Sequence, residues 1–146
     1  MIRALTIRQP WAAAIAHADK RIENRTWPTS YRGTLLIHAG KTVDRGAGRL
    51  AAAVVRGLQL DLGAVLAVAR ITGCHDSAEE KIPCTPWSAT GQFHHVLDDQ
   101  VTALPLPIPW TGAQGLWVPP PALVERICQQ LDAEAARALR EEAGLC

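Results

Sequence analysis

Prolines and glycines recur throughout residues 81–120, spaced too closely for a long helix to form there. Proline lacks the backbone N–H that a helix interior needs, and glycine favours turns. We therefore expect this stretch to hold three short strands, His94–Leu97, Val101–Leu104 and Gly115–Val118. When so much of a chain forms short strands and turns, its core must be built around a β-sheet.

Four further segments are predicted to be extended. Residues 2–8 alternate between apolar and polar side chains, which is typical of a strand. Short apolar runs bounded by glycines predict buried strands over 34–39 and 63–73, and residues 21–26 form a short extended segment. We expect the strands over 2–8, 34–39 and 63–73 to share one sheet.

Helices are predicted only at the edges of this sheet. A short alanine-rich helix is expected over 10–18, a second over 43–56 with Thr42 as its cap, and a C-terminal helix over 122–143. The regular helix–strand alternation of a doubly wound fold is missing. The sequence therefore predicts an α+β fold: one domain over 1–146, built as a small β-barrel with short flanking helices and a C-terminal helical extension.

Charge is distributed unevenly along the chain. Residues 1–49 contain nine Lys and Arg against three Asp and Glu, a net charge of +6, whereas residues 50–146 contain six against eleven, a net charge of −5. A local positive field in the N-terminal third favours a ligand that carries phosphate. The alternative is a solvated face that happens to be basic.

The sequence predicts a cytoplasmic protein with no membrane association. No run of 18 apolar residues could span a bilayer, and the first residues lack the apolar core and cleavage site of a signal peptide. Without CxxC pairs, the cysteines are expected to be free thiols.

Five potential metal ligands lie in the second half of the chain: Cys74, His75, Cys84, His94 and His95. Their spacing matches no zinc-binding pattern that we know. The sequence therefore predicts neither a metal nor another cofactor.

Residues 6–38 hold an unusual density of long polar and aromatic side chains beside short apolar strands. Lys20 and Glu23 are three residues apart beyond the end of a short helix, so a turn would let them form an ion pair. Such a pair would leave Lys20 positioned and partly desolvated at the edge of the fold, where it can act as a base or as a point charge for phosphate. The alternative is a structural salt bridge that braces the helix exit.

This segment resembles the ASCH domain (activating-signal-cointegrator homology), a branch of the PUA-like superfamily. The family pattern is x-Pro-Trp, then Gly-x-Lys-x-x-Glu-x-Arg-x-Trp, then Tyr-Arg-Gly before a strand that ends in His-Ala. A later piece, Gly112 to Trp117, fits as well, so the resemblance spans residues 2 to about 118. One departure is Ala18, where the family has glycine. The matching residues are Gln9-Pro10-Trp11, Lys20, Glu23, Arg25, Trp27, Tyr31-Arg32-Gly33 and Ile37-His38-Ala39.

The resemblance implies a PUA-like barrel with a cleft, and relatives that bind RNA or modified bases. Some small bacterial ASCH proteins look like amidohydrolases of acetylated cytidine nucleosides, with a lysine at the Lys20 position and a threonine where this chain has Glu23. Others are similar to ribonucleases. The amidohydrolases also use a downstream acid, for which Asp76, Glu79 and Glu80 are candidates by position.

Three functions therefore remain open. A binding domain for RNA, DNA or a nucleotide would stack a base on Trp11 or Trp27. An enzyme would use Lys20 and Glu23, the glutamate acting as a general base on water. A third possibility is an interaction domain, with the acidic C-terminal helix as a partner or homodimer surface. In the binding domain, the predicted phosphate contacts are Lys20, Arg25 and Arg32, and the predicted readers of a base edge are Gln9 and His38.

Overall fold

The computed structural model describes residues 1–80 and 84–145. Within these residues the chain forms seven strands, four α-helices and a 3-10 turn at Ser77–Glu79. The strands are β1 (Arg3–Gln9), β2 (Ile22–Arg25), β3 (Gly33–Val43), β4 (Ala64–Asp76), β5 (Phe93–Leu97), β6 (Thr102–Pro109) and β7 (Leu116–Trp117). The helices are α1 (Trp11–His17), α2 (Gly48–Val54), α3 (Pro121–Cys128) and α4 (Ala133–Glu142).

All seven strands belong to one sheet, with the order β2-β5-β4-β3-β1-β7 and with β6 paired to β4. Strands β1 and β3 are parallel, and the other pairs are antiparallel. The prediction that the strands over 2–8, 34–39 and 63–73 share a sheet is confirmed. The α+β class is also confirmed.

The predicted small barrel is not confirmed, because the sheet formed by the described residues is not closed. Strand β4 pairs with β3 along one edge and divides its other edge between β6 at its start and β5 at its end. The sheet therefore branches at β4, and no pairing between the described residues joins β2 to β7. Sequence periodicity could not distinguish these outcomes, because an open and a closed sheet have the same alternation.

Strand β6 continues through Pro105, Pro107 and Pro109, well beyond the predicted Leu104. Proline cannot donate to a neighbouring strand, so it is tolerated where one edge of the strand stays unpaired. Pairing with β4 alone gives β6 such an edge.

Two of the predicted helices need correction. Strand β3 extends to Val43, which pairs with Gln9, so Thr42 is held in a strand and α2 covers only Gly48–Val54. The helix predicted over 122–143 is two helices, α3 and α4. Asp132 separates them, because its side chain accepts a hydrogen bond from the backbone N–H of Ala135 at 2.8 Å and so starts a new helix.

The two faces of the sheet bury different helices. Leu5 and Ile37 pack with Ile15 of α1 on one face. Their chain neighbours Ala4 and Leu36 pack on the other face with residues of α3 and α4. A short connection leads from the end of α1 at His17 to the start of β2 at Ile22, where the candidate site lies.

Within residues 1–80 and 84–145, no helix has both the length and the apolar character needed to cross a bilayer.

Candidate functional site

A cleft of about 450 Å³ opens where β1, the start of α1 and β2 meet. It includes five of the eight residues that the sequence predicted for the site. The lining residues are Thr6, Ile7, Arg8, Trp11, Lys20, Glu23, Asn24, Arg25, Thr26, Trp27, Asp44, Ala89 and Gln92.

A chain of ion pairs, Lys20–Glu23–Arg25, lies at the base of the cleft. The Lys20 Nζ donates to Glu23 Oε1 at 2.9 Å and also to the carbonyl oxygen of Ile22. Arg25 donates to Glu23 Oε2 through Nε at 3.1 Å and through Nη2 at 2.9 Å. Its Nη2 also donates to the carbonyl oxygen of Thr6, which ties β2 to β1. Both oxygens of Glu23 are therefore engaged by cations.

These charges are largely removed from solvent. Lys20 is 1% exposed and Glu23 is 6% exposed. Burial raises the pKa of Glu23, but the charges and hydrogen bonds of Lys20 and Arg25 outweigh burial and hold that pKa below its usual range. Glu23 is therefore a carboxylate at neutral pH. Lys20 is not the edge lysine that the sequence predicted.

The backbone between α1 and β2 explains how Lys20 reaches this position. Ala18, where the family pattern has glycine, adopts φ −136° and ψ −158°. This is extended backbone that any residue tolerates, so alanine causes no strain here. The Lys20 N–H then donates to the carbonyl oxygen of Ala14 at 3.3 Å, which turns the chain back toward the helix.

Two half-buried tryptophans line the cleft. The Trp11 Nε1 donates to Asp44 Oδ2 at 3.0 Å, and Lys20 Nζ lies 5.7 Å from the centre of the Trp11 ring. Trp27 contacts His95 edge to face, with ring centres 4.7 Å apart. The His95 Nε2–H donates to the Trp27 carbonyl at 2.8 Å, and burial lowers the pKa of His95, so this imidazole is neutral at pH 7.

Three predicted site residues do not line the cleft. Gln9 is fully buried, where it donates to the Asp61 carbonyl and accepts from the Ala13 N–H. His38 is 2% exposed and bonds Thr6 and the Trp110 carbonyl. Arg32 is exposed and donates to backbone carbonyls of its own loop. Gln9 and His38 therefore join elements of the fold instead of facing a ligand. The sequence could not reveal this, because a polar side chain that braces a core looks the same in sequence as one that binds a ligand.

The cleft also contains residues that sequence reasoning missed. Arg8 and Asp44 form a loose ion pair at 3.7 Å at its rim. Within the described residues, the side chains of Gln92 and Thr26 make no hydrogen bond, which leaves their polar groups available to a ligand. No local motif marks Asp44 or Gln92, because β3 and β5 bring them to the cleft from distant parts of the sequence.

The positive charge of residues 1–49 does not converge on the cleft. Three cationic and two acidic side chains line it, so its net charge is +1. Arg21 instead donates to backbone carbonyls around the exit of α1.

The predicted downstream acids lie outside the cleft. Asp76 Oδ1 accepts from the Ala78 N–H at 3.0 Å and caps the 3-10 turn. Glu80 contacts His75 and His94. Neither these residues nor Glu79 is among those that line the cleft.

Comparison with known proteins agrees with the family resemblance seen in the sequence. The sequence matches the ASCH domain family over residues 5–111. The fold is similar to the crystal structure of a mutant of ZmASCH from Zymomonas mobilis, with a TM-score of 0.52 and 13% identity over 88% of this chain and 94% of that one. At this identity the similarity concerns the fold alone. No curated protein matches the sequence.

Proposed function

The chain belongs to the ASCH domain family, which is generally associated with RNA binding, and on this premise we propose that its cleft binds one nucleotide unit of an RNA strand. The observation that carries the proposal is the pairing of two tryptophans with cationic side chains in one cleft. A cleft of about 450 Å³ is within the range of small-ligand sites, roughly 300–1,000 Å³, and is small for a longer stretch of polymer.

The aromatic side chains supply the main binding energy. A base that stacks on Trp11 or Trp27 gains roughly 1–3 kcal/mol per contact, and stacking tolerates any base. Gln92 and Thr26 take the role that the sequence assigned to Gln9 and His38, because their polar groups can hydrogen-bond a base edge.

The electrostatics suit a single phosphate. Glu23 and Asp44 offset two of the three cations, so the cleft retains the net charge for about one phosphate contact. Arg8 is the most accessible of these cations, with its side chain 62% exposed.

A hydrolase that acts on acetylated cytidine or RNA is the second candidate, because Lys20 and Glu23 do converge at the cleft. Two cations hold Glu23, and its lowered pKa makes it a weak base toward water. We therefore propose RNA binding as the first candidate function and hydrolysis as the second.

Fluorescence anisotropy with a labelled single-stranded RNA tests the binding proposal. Trp11→Ala and Trp27→Ala should each weaken binding by about 5- to 150-fold, the loss of one stacking contact. Trp110→Ala is the matched control, because Trp110 packs against the core on the α3–α4 face. Two folded cleft variants with wild-type affinity would overturn the proposal.

The hydrolase candidate is tested by incubating the protein with acetylated cytidine and with RNA. Product formation that Glu23→Gln abolishes would move the assignment from binding to hydrolysis. Labelled DNA of the same sequence, used in the anisotropy assay, separates RNA from DNA binding.

A further inference from the structure

A second cluster of titratable side chains lies at the end of β4 and β5. His75 and His94 are direct cross-strand partners in the antiparallel pairing of β4 with β5, so their side chains share one face of the sheet. Cys74 and His95 form the adjacent pair, whose side chains point to the opposite face. The sheet thus divides four of the five potential metal ligands of the sequence into two pairs on opposite faces.

Glu80 and Cys84 complete the first group. Ligand atoms of His75, Glu80 and Cys84 all lie within 4.8 Å of one another. The His94 Nδ1 is 3.5 Å from Cys84 Sγ and 3.1 Å from Glu80 Oε2. Two imidazoles, one carboxylate and one thiol are therefore brought together at this end of the sheet.

Three of the ligand separations are close to the edges of a tetrahedron around zinc. With Zn–N and Zn–O bonds of about 2.0–2.1 Å and a Zn–S bond of about 2.3 Å, neighbouring ligand atoms are about 3.3–3.5 Å apart. The His75 Nδ1 is 3.1 Å from Glu80 Oε1, and the two His94 contacts are of similar length.

The hydrogen bonds within the cluster leave one buried carboxylate oxygen, Glu80 Oε2, without a partner among the described residues. His94 is 1% exposed, and its Nε2 lies 2.7 Å from the Ala89 carbonyl oxygen, which can only accept a hydrogen bond. Nε2 therefore carries a proton, and Nδ1 faces a thiol and a carboxylate. Glu80 Oε2 is also shielded from solvent. A cation between these groups would match the electron pairs of the imidazole, the thiolate and the carboxylate.

We propose that His75, Glu80, Cys84 and His94 bind one Zn²⁺ ion. Nitrogen, sulfur and carboxylate ligands in a tetrahedral arrangement are typical of zinc, and the His94 N–H bonded to a carbonyl is the usual way to orient a ligating imidazole. The Ser88 Oγ is 2.8 Å from Cys84 Sγ and can donate to the thiolate that zinc requires.

The ion would fix a wall of the cleft. Ala89 and Gln92, which line the cleft, lie between Cys84 and His94 in the chain. Zinc would therefore anchor both ends of this segment to β4, which makes the site structural. The inference does not depend on what the cleft binds, because it concerns zinc affinity alone.

Titration of the metal-free protein with ZnCl₂ and with Co²⁺ tests the site. We expect one tightly bound equivalent, a rise in melting temperature, and a cobalt spectrum with thiolate charge-transfer and tetrahedral bands. Removing a partner outside the ligand set typically costs about 10- to 100-fold in metal affinity, so Ser88→Ala should fall in that range. Cys84→Ser removes a ligand and should cost more than about 100-fold.

Cys74→Ser is the matched control, because Cys74 points to the opposite face and should leave zinc affinity unchanged. Cys84 is exposed, so its serine variant should fold even where His94→Ala does not. Wild-type protein that binds no zinc, or a Cys84→Ser variant that keeps wild-type affinity and the thiolate bands, would overturn the proposal. Loss of binding in Cys74→Ser would overturn the assignment of ligands.

Discussion

The two charged clusters of this protein differ in how their donors and acceptors match. In the cleft, one carboxylate, Glu23, meets two cations, Lys20 and Arg25, and both of its oxygens are hydrogen-bonded. At the end of β4 and β5, the Nδ1 of His94 meets the thiol of Cys84 and the carboxylate of Glu80. Both oxygens of Glu23 are engaged in the first cluster, whereas in the second Glu80 Oε2 accepts no hydrogen bond within the described residues. Buried charge therefore indicates a ligand only where the protein leaves it unmatched.

The largest effect should come from breaking the matched cluster. Lys20→Met leaves Glu23 buried with one of its cations gone, and breaking a buried pair typically costs about 3–5 kcal/mol. Urea unfolding should show this loss in the free energy of unfolding. Lys41→Met, at an exposed lysine of β3, is the control and should stay within about 0.5 kcal/mol of wild type. Equal stability of the two variants would mean that the Lys20–Glu23 pair is not desolvated in solution.

A smaller effect is expected from Glu23→Gln, which keeps the shape but removes the negative charge. Losing hydrogen bonds to a charged group should cost about 1.5–3 kcal/mol at pH 7. Because Lys20 and Arg25 lower the pKa of Glu23 in the folded protein, its charge stabilises the fold at pH values above the unfolded pKa of about 4.5. That stabilisation is lost as pH falls through the folded pKa.

The stability difference between wild type and Glu23→Gln should therefore shrink in acid. The groups that face Glu23 are Lys20, Arg25 and His95. Urea unfolding from pH 7 to pH 3 measures the difference. A gap that stays constant across this range would show that the Glu23 charge does not stabilise the fold.

The smallest expected effect is that of salt concentration on RNA affinity, which tests how much positive charge the cleft leaves unmatched. If about one phosphate is contacted, RNA affinity should fall only about threefold between 50 and 200 mM salt, since the slope is about −0.7 per phosphate for single strands. Arg8→Ala should flatten this response, whereas Arg32→Ala, outside the cleft, should not. Anisotropy titrations at several salt concentrations measure both. A loss of more than a hundredfold would point to a polymer track beyond the cleft.

Local sequence patterns located most of the fold. Alternation and glycine boundaries identified the strands over 2–8, 34–39 and 63–73, and the structure places them side by side. The same patterns were wrong at two places. Thr42 pairs into the sheet as part of β3 instead of capping a helix, which is a tertiary contact that outweighs local propensity. Asp132 interrupts a run that is apolar on one face through a local cap, which the apolar pattern alone does not reveal.

The sequence by itself determined the α+β class, the ASCH family and the closeness of Lys20 to Glu23, because each depends on residues near one another in the chain. Only the tertiary structure decided that Lys20 is buried, that Gln9 and His38 brace the core, and that Asp44 and Gln92 reach the cleft. It also placed His75 opposite His94 and separated them from Cys74 and His95. The reason is that strand pairing joins residues far apart in sequence, while the pleat sends chain neighbours to opposite faces.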